Sequence, residues 1–177
     1  KTGRAEETLV IFFSDNGGSG GSSNKPLRGH KGEMFEGGIR VCCLMRFPGR
    51  IPAGTVCDEF LTTLEILPTV LNLAGREPPP GLVLDGFDLL PVVSGKTPSP
   101  RRKMVWERRD HSACRVGDWK WIRRGEQEFL FDLASDLSEQ NDLAGKQAEK
   151  LAEMRREYAA WREEMDAAEP RGPFRDY

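Results

Sequence analysis

The apolar positions of this chain change period several times, and each change predicts an element. Residues 9–13, Leu-Val-Ile-Phe-Phe, form an unbroken β-branched and aromatic run bounded by polar and turn residues, the pattern of a strand buried on both faces. The run breaks at Ser14-Asp15-Asn16-Gly17-Gly18. Residues 24–38 are rich in glycine, which predicts a loop pinned by tertiary contacts, with room for one helical turn. Residues 39–47 return to apolar character and read as a second strand, closed by Pro48-Gly49. Leu64, Leu67, Val70, Leu71 and Ala74 then recur at helical spacing across residues 62–74. Thr62 or Thr63 is placed to cap that helix, Glu65 falls in its first turn, and Gly75 is placed to stop it. Pro68 either kinks the helix or marks its true start. Residues 89–93 are enough for a turn or two.

A change of pattern follows residues 95–102, a segment with two prolines and a basic end. Residues 104–108, 113–116, 119–123 and 128–133 are short runs separated by turns, which predicts an antiparallel meander. On the third of these, Trp119, Trp121 and Arg123 share one face and Lys120 and Ile122 the other, so the alternation is not clean. Residues 146–168 carry Leu151, Met154, Tyr158, Trp161 and Met165 as a single apolar stripe, with Pro170 and Gly172 beyond it as stops. Core packing of this helix on the sheet is the expected use of the stripe. The expected division is 1–98 as part of an α/β domain and 99–177 as a small antiparallel sheet with a long helix.

Composition narrows the function classes. Of the 177 residues, 38% are hydrophobic and 31% charged, and the net charge of −2 gives no reason to expect nucleic acid or an anionic membrane as partner. No run approaches the about 18 apolar residues of a membrane span. No signal peptide is visible, but the first residue is Lys1 rather than Met, so a precursor's beginning can lie outside the sequence and localisation stays open. Cys42, Cys43, Cys57 and Cys114 show neither zinc spacing nor a disulfide-dense pattern. Cys42 and Cys43 would alternate faces on a strand, so at least one is expected to pack as a small apolar residue.

Asp15 and Asn16 sit at the carboxyl end of the first predicted strand, where ligands bind in open α/β sheets. A carboxylate beside an amide oxygen suits a hard cation such as calcium or magnesium, although Asp-Asn-Gly-Gly taken alone is also ideal turn chemistry. The longer string is more specific. Ser-Asp-Asn-Gly-Gly (residues 14–18), Leu-Arg-Gly-His-Lys-Gly (27–32) and Glu-Gly-Gly-Ile-Arg-Val (36–41) together resemble the sulfatase family of the alkaline phosphatase superfamily. The resemblance continues through residues 84–91, Phe131-Asp132-Leu133 and Asp142-Leu143, in family order and over most of the chain.

The resemblance implies the C-terminal part of an alkaline-phosphatase-like α/β fold, and a parent enzyme that hydrolyses sulfate monoesters. In that family the nucleophile is a formylglycine made from Cys or Ser in a Cys/Ser-x-Pro-x-Arg motif. Cys42-Cys43-Leu44-Met45-Arg46 lacks its proline, no other cysteine fits, and the family's early pair of metal-binding aspartates is also missing. The family usually has proline where this chain has Cys42. By the resemblance, Asp15 and Asn16 are late calcium ligands. They supply three or four side-chain oxygens at most, against the six to eight that calcium takes. Lys31 matches the catalytic lysine that contacts the sulfate; without the motif, a lysine between two such neighbours reads as a solvated loop residue. His30 and Arg28 are candidate substrate contacts, and Arg28 has the alternative of bracing the loop. Glu36 and Arg40 are expected to hold loop geometry, Gly37 and Gly38 to permit close approaches, and Asp132, Asp136 and Glu139 to form turns.

Implied partners are a sulfated small molecule or glycan and the N-terminal remainder of the enzyme, with calcium (or magnesium) and formylglycine as cofactors. The chain alone is then expected to be inactive. The resemblance suggests a periplasmic, secreted or lysosomal setting. The alternatives are a phosphonate or phosphate ester hydrolase of the same superfamily, and a non-catalytic homologue that binds sulfated ligands.

Overall fold

The computed structural model describes residues 3–168. In chain order its elements are β1 (Val10–Phe13), α1 (Glu36–Ile39), β2 (Cys43–Arg46), α2 (Ile66–Leu73), α3 (Leu90–Val93), β3 (Lys103–Arg108), β4 (His111–Val116), β5 (Trp119–Arg124), β6 (Gln127–Asp132) and α4 (Ala148–Ala167). Two compact units form, and neither is one continuous stretch. Cys42–Arg102 packs with the segment ending at Ser14, and Asp15–Val41 packs with the segment from Lys103 onward.

In the first unit β1 and β2 make an antiparallel ribbon, with Val10 opposite Arg46 and Phe13 opposite Cys43. The expectation of a strand buried on both faces is corrected here. Phe12 is 63% exposed, Leu44 65% and Val10 48%. The apolar run is there, but a two-stranded ribbon supplies no third strand and no covering layer among the described residues. Likewise Cys42 and Cys43 are both exposed, so neither packs as a core residue. The second strand is also shorter than residues 39–47, because Ile39 closes the helical turn α1.

The predicted helix is present with its start signals intact. A 3₁₀ turn at Thr63–Glu65 leads into α2, and Thr62 and Glu65 form a reciprocal capping box. Thr62 Oγ1 accepts from the Leu64 amide at 3.3 Å, while the Glu65 carboxylate accepts from the Thr62 amide and, at 2.8 Å, from its hydroxyl. Pro68 lies in the first turn of α2, where its missing N–H leaves no helical bond unmade. Gly75 ends the helix with φ +61°. Glu65 is fully buried and its other oxygen receives Arg101 Nε at 2.8 Å, tying the helix start to the segment that precedes β3. On the helix itself only Thr69 is buried, donating to the Glu65 carbonyl at 2.7 Å and receiving the Leu89 amide at 2.9 Å. Leu64, Leu67 and Val70 remain exposed.

The second unit is built on the predicted meander, a four-stranded antiparallel sheet in the order β3-β4-β5-β6. Its two faces are both covered, which explains the mixed pattern of β5. One face carries Ala113, Ile122 and Phe131 under Met34, Phe35 and Leu133. The other carries Val105, Cys114, Trp121 and Leu130 under Met154 and Tyr158 of α4. Phe35 meets the Phe129 ring edge-on at 5.6 Å between centroids, and Trp121 lies 4.9 Å from Tyr158. Leu151 and Trp161 flank the helix contact, whereas Met165 is 40% exposed. The stops proposed at Pro170 and Gly172 lie outside the described residues. No described helix is long and apolar enough to cross a membrane.

The four thiols are free, and burial pushes that of Cys114 up to about 11. Thiol titration with a disulfide reagent near pH 8 is therefore expected to detect Cys42, Cys43 and Cys57 in the folded protein. The fourth, Cys114, should react only after denaturation. Fast labelling of Cys114 in the native state would contradict the packing of α4 on the sheet.

Candidate functional site

The candidate residues Asp15, Asn16, Arg28, His30 and Lys31 all belong to the second unit. Backbone hydrogen bonds bring the two motif segments together. The Lys31 amide donates to the Gly18 carbonyl at 3.1 Å, and the Gly17 amide donates to the Gly38 carbonyl at 2.9 Å. The Gly37 amide donates to the Arg28 carbonyl at 2.6 Å. Asn24 fastens the base of the intervening loop. Its Oδ1 accepts from the Gly18 amide at 2.8 Å, and its Nδ2 donates to the carbonyls of Gly18 and Gly29, both at 3.0 Å.

Such bonding needs backbone against backbone. A Cβ on Gly17 would sit 1.7 Å from the Gly37 carbonyl oxygen, and one on Gly38 would sit 2.1 Å from that of Glu33. A Cβ on Gly37 would lie 2.5 Å from the carbonyl oxygens of Arg28 and Gly29, so Gly37 and Gly38 both serve close approach, as expected.

Lys31 and His30 project from this frame as exposed side chains. His30 Nε2 lies 3.6 Å from Glu33, whose carboxylate also accepts from the His30 amide at 3.2 Å. Arg28 takes the bracing position: its guanidinium lies 4.0 Å from the centroid of the Phe35 ring and donates to the Glu139 carbonyl at 3.0 Å. Asp15 is exposed and Asn16 half-buried. Their oxygens are of the right type for a hard cation, but among the described residues no group of three or more His, Cys, Asp or Glu is placed to hold a metal. Two such side chains are too few to fill the coordination shell of a calcium ion.

Beneath the loop lies a group of buried charges. Lys120 and Glu139 are wholly buried and Glu36 is 3% exposed. Lys120 Nζ donates to Glu36 Oε1 at 2.8 Å and lies 2.8 Å from Glu139 Oε1, while Glu139 Oε2 accepts from the Glu36 amide at 2.6 Å. Arg40 reaches the outer oxygen of Glu36 at 3.5 Å, as expected for a pair that holds loop geometry. Burial raises the Glu139 carboxyl above its ordinary range, opposed by the attraction of Lys120. Asp132 and Asp136 are turn residues: the former accepts from the Ala134 amide at 3.1 Å and the latter from the Asn141 amide at 2.7 Å. Glu139 departs from that expectation, because its carboxylate points into the core instead of capping a turn. Sequence reasoning missed this group and Asn24. A lysine on the inward face of β5, two residues from Ile122, was the visible signal for the first. No pattern marked the second.

These segments match known proteins. The Sulfatase family profile matches residues 1–76. Arylsulfatase A of Homo sapiens is 34% identical over 97% of this chain and 41% of its own length. The chain belongs to the sulfatase family. N-acetylgalactosamine-6-sulfatase of Canis lupus familiaris is 35% identical over 70% of this chain and 26% of its own. A crystal structure of Ps i-CgsB in complex with k-i-k-neocarrahexaose superposes with a TM-score of 0.80 and 31% identity, covering 89% of this chain and 37% of that one. This sulfatase sequence thus spans about two fifths of the length of its full-chain relative.

Removing the ammonium from beneath the loop leaves two buried carboxylates without their cation. Lys120→Ala is expected to destabilise the protein by about 3–5 kcal/mol, read as the shift in urea unfolding. A loss within the about 0.5 kcal/mol usual for surface substitutions would show that water reaches these groups.

Proposed function

We propose that this chain supplies one side of an active site that hydrolyses sulfate monoesters on sugars. The observation that supports the reading most is the bond from the Lys31 amide to the Gly18 carbonyl. It keeps Lys31 beside the segment that begins with Asp15 and Asn16, so a cationic side chain and two hard oxygen donors rise from one frame. In this reading the Lys31 ammonium balances charge on the sulfuryl oxygens, and on the bridging oxygen as the ester bond breaks. Being exposed, it bears little of the packing and is free to meet a ligand. His30 is exposed beside Lys31, and Arg28 braces the loop through the Glu139 carbonyl and the Phe35 ring.

Asp15 and Asn16 would hold a calcium ion together with ligands from outside this chain; when bound, that ion supplies Lewis-acid stabilisation of the sulfate group. The nucleophile also belongs outside these residues, since no cysteine here stands in the formylglycine motif. The sugar substrate is suggested by two relatives: one is named for N-acetylgalactosamine-6-sulfate chemistry, and the other was solved with a neocarrahexaose. The chain by itself is then inactive, and catalysis requires the remainder of a complete sulfatase.

Two measurements test the reading in the complete protein. Lys31→Ala should lower turnover of an aryl sulfate by about 10² to 10³, the scale for one charge-stabilising group, with little effect on stability. Activity within twofold of wild type would remove Lys31 from the chemistry. Calorimetric titration should show weaker calcium binding in Asp15→Ala and in Asn16→Ala, with the larger loss for Asp15, which carries the charge. Unchanged affinity in both would return the pair to a turn.

A further inference from the structure

The sheet face under the candidate loop is ordered in rows. Cross-strand partners on antiparallel strands share a face, so Met104, Arg115, Lys120 and Phe131 form one row, and Trp106, Ala113, Ile122 and Phe129 the next. The first holds the buried Lys120, and the second packs with Met34 and Phe35. Two residues further along each strand, the third row is Arg108, His111, Arg124 and Gln127. That row lies at the sheet end contacted by residues 32 and 33. Arg108 Nη1 is 3.5 Å from the Gly32 carbonyl oxygen, and Arg124 Nη1 is 3.3 Å from Glu33 Oε1. Lys31 is the neighbouring residue.

Arg108 and Arg124 flank His111 in this row, and two like charges gathered on one sheet face repel each other without anions between them. The local carboxylates do not balance the group. Glu33 serves Arg124 and His30, and Asp110 lies 3.7 Å from His111. Among the described residues Arg108 and Lys31 make no ion pair, and both are exposed. Two guanidiniums on rigid hairpin ends are also better shaped for an oxyanion than flexible lysines, because each offers a planar pair of donors.

We propose that Arg108 and Arg124 form a second anion subsite next to Lys31, and that the preferred substrate is a saccharide bearing a second oxyanion, a sulfate or a uronate carboxylate, beside the ester that is cleaved. This deepens the sulfatase reading and rests on Lys31 meeting the scissile sulfate. The two arginines select the substrate, while the Lys31 side of the site treats every sulfate alike. Gly32 contributes by having no side chain: a Cβ there would lie 3.3 Å from Arg108 Nη1.

The test is an equilibrium-binding titration of the complete protein, with its nucleophile replaced so that no ester is cleaved, against three probes: a monosulfated disaccharide, its disulfated form, and a monosulfated disaccharide containing a uronate. With no further substitution it should bind one or both of the dianionic probes at least about tenfold more tightly than the monosulfated one, in proportion to one or two charge-assisted bonds. The two dianionic arms tell which second group is read. Arg108→Ala with Arg124→Ala should bring that preference to within twofold and leave the monosulfated probe unaffected, with unchanged thermal unfolding as the folding control. Arg156→Ala, on the helix covering the opposite sheet face, should leave the preference intact. Absence of a preference without further substitution, its survival in the double variant, or an equal loss in Arg156→Ala overturns the subsite. Lys31→Ala separates the two claims. If it leaves monosulfated binding untouched while the double variant loses the preference, the subsite stands and the assignment of Lys31 fails.

Discussion

The second unit depends on one ammonium group. Lys120 stands on the inner face of β5 with no access to water, and the carboxylates of Glu36 and Glu139 close around it. Taking three charges out of water costs more than their attraction is assured to return, so the group is poor evidence for net stability. What it does is specify an arrangement. Glu36 begins the helical turn α1, Glu139 belongs to the loop after β6, and Lys120 lies on the sheet between them. This arrangement brings the ammonium within 2.8 Å of both carboxylates. Arg28 adds a second tie to the same loop through the Glu139 carbonyl, and its stacking on Phe35 joins the charged group to the apolar cluster beside it. The short motif that carries Lys31 therefore takes its shape from a sheet that begins more than sixty residues later in the chain.

Local signals were the legible part of the sequence. A threonine cap at Thr62 or Thr63, the stop at Gly75, the four strands of the meander and the stripe of α4 each follow from patterns within one element; the structure has the cap at Thr62, the stop and the meander, and the stripe except for the exposed Met165. What was not legible needed a second segment. The run at residues 9–13 looks like an interior strand because a sequence shows apolarity without showing what covers it; among the described residues only β2 pairs with it, and Phe12 faces solvent. The lysine on the inner face of β5 makes sense only with Glu36 and Glu139, which come from other segments. Likewise Glu139 looked like one more acidic turn residue, and the distinction from Asp132 and Asp136 lies entirely in where its side chain goes.

The candidate site divides in the same way. Asp15, Asn16 and Lys31 were found through short strings of residues, and the backbone bonds between their segments were not visible in those strings. Gly17, Gly37 and Gly38 connect the two levels. Their close contacts with neighbouring carbonyls leave no room for a side chain at any of the three. Glycine here removes freedom from the surroundings because nothing larger fits.

Asn24 has a consequence for variation. Its three bonds close the base of the turn formed by residues 19–23, which folds on itself through Ser22 and the Ser19 carbonyl. The turn is thus suspended from a clamp, and the strain of changing it ends there. Residues could be added, deleted or exchanged within it while Asp15 on one side and Lys31 on the other kept their places. The length and chemistry of this turn are thereby uncoupled from the positions of the residues on either side of it.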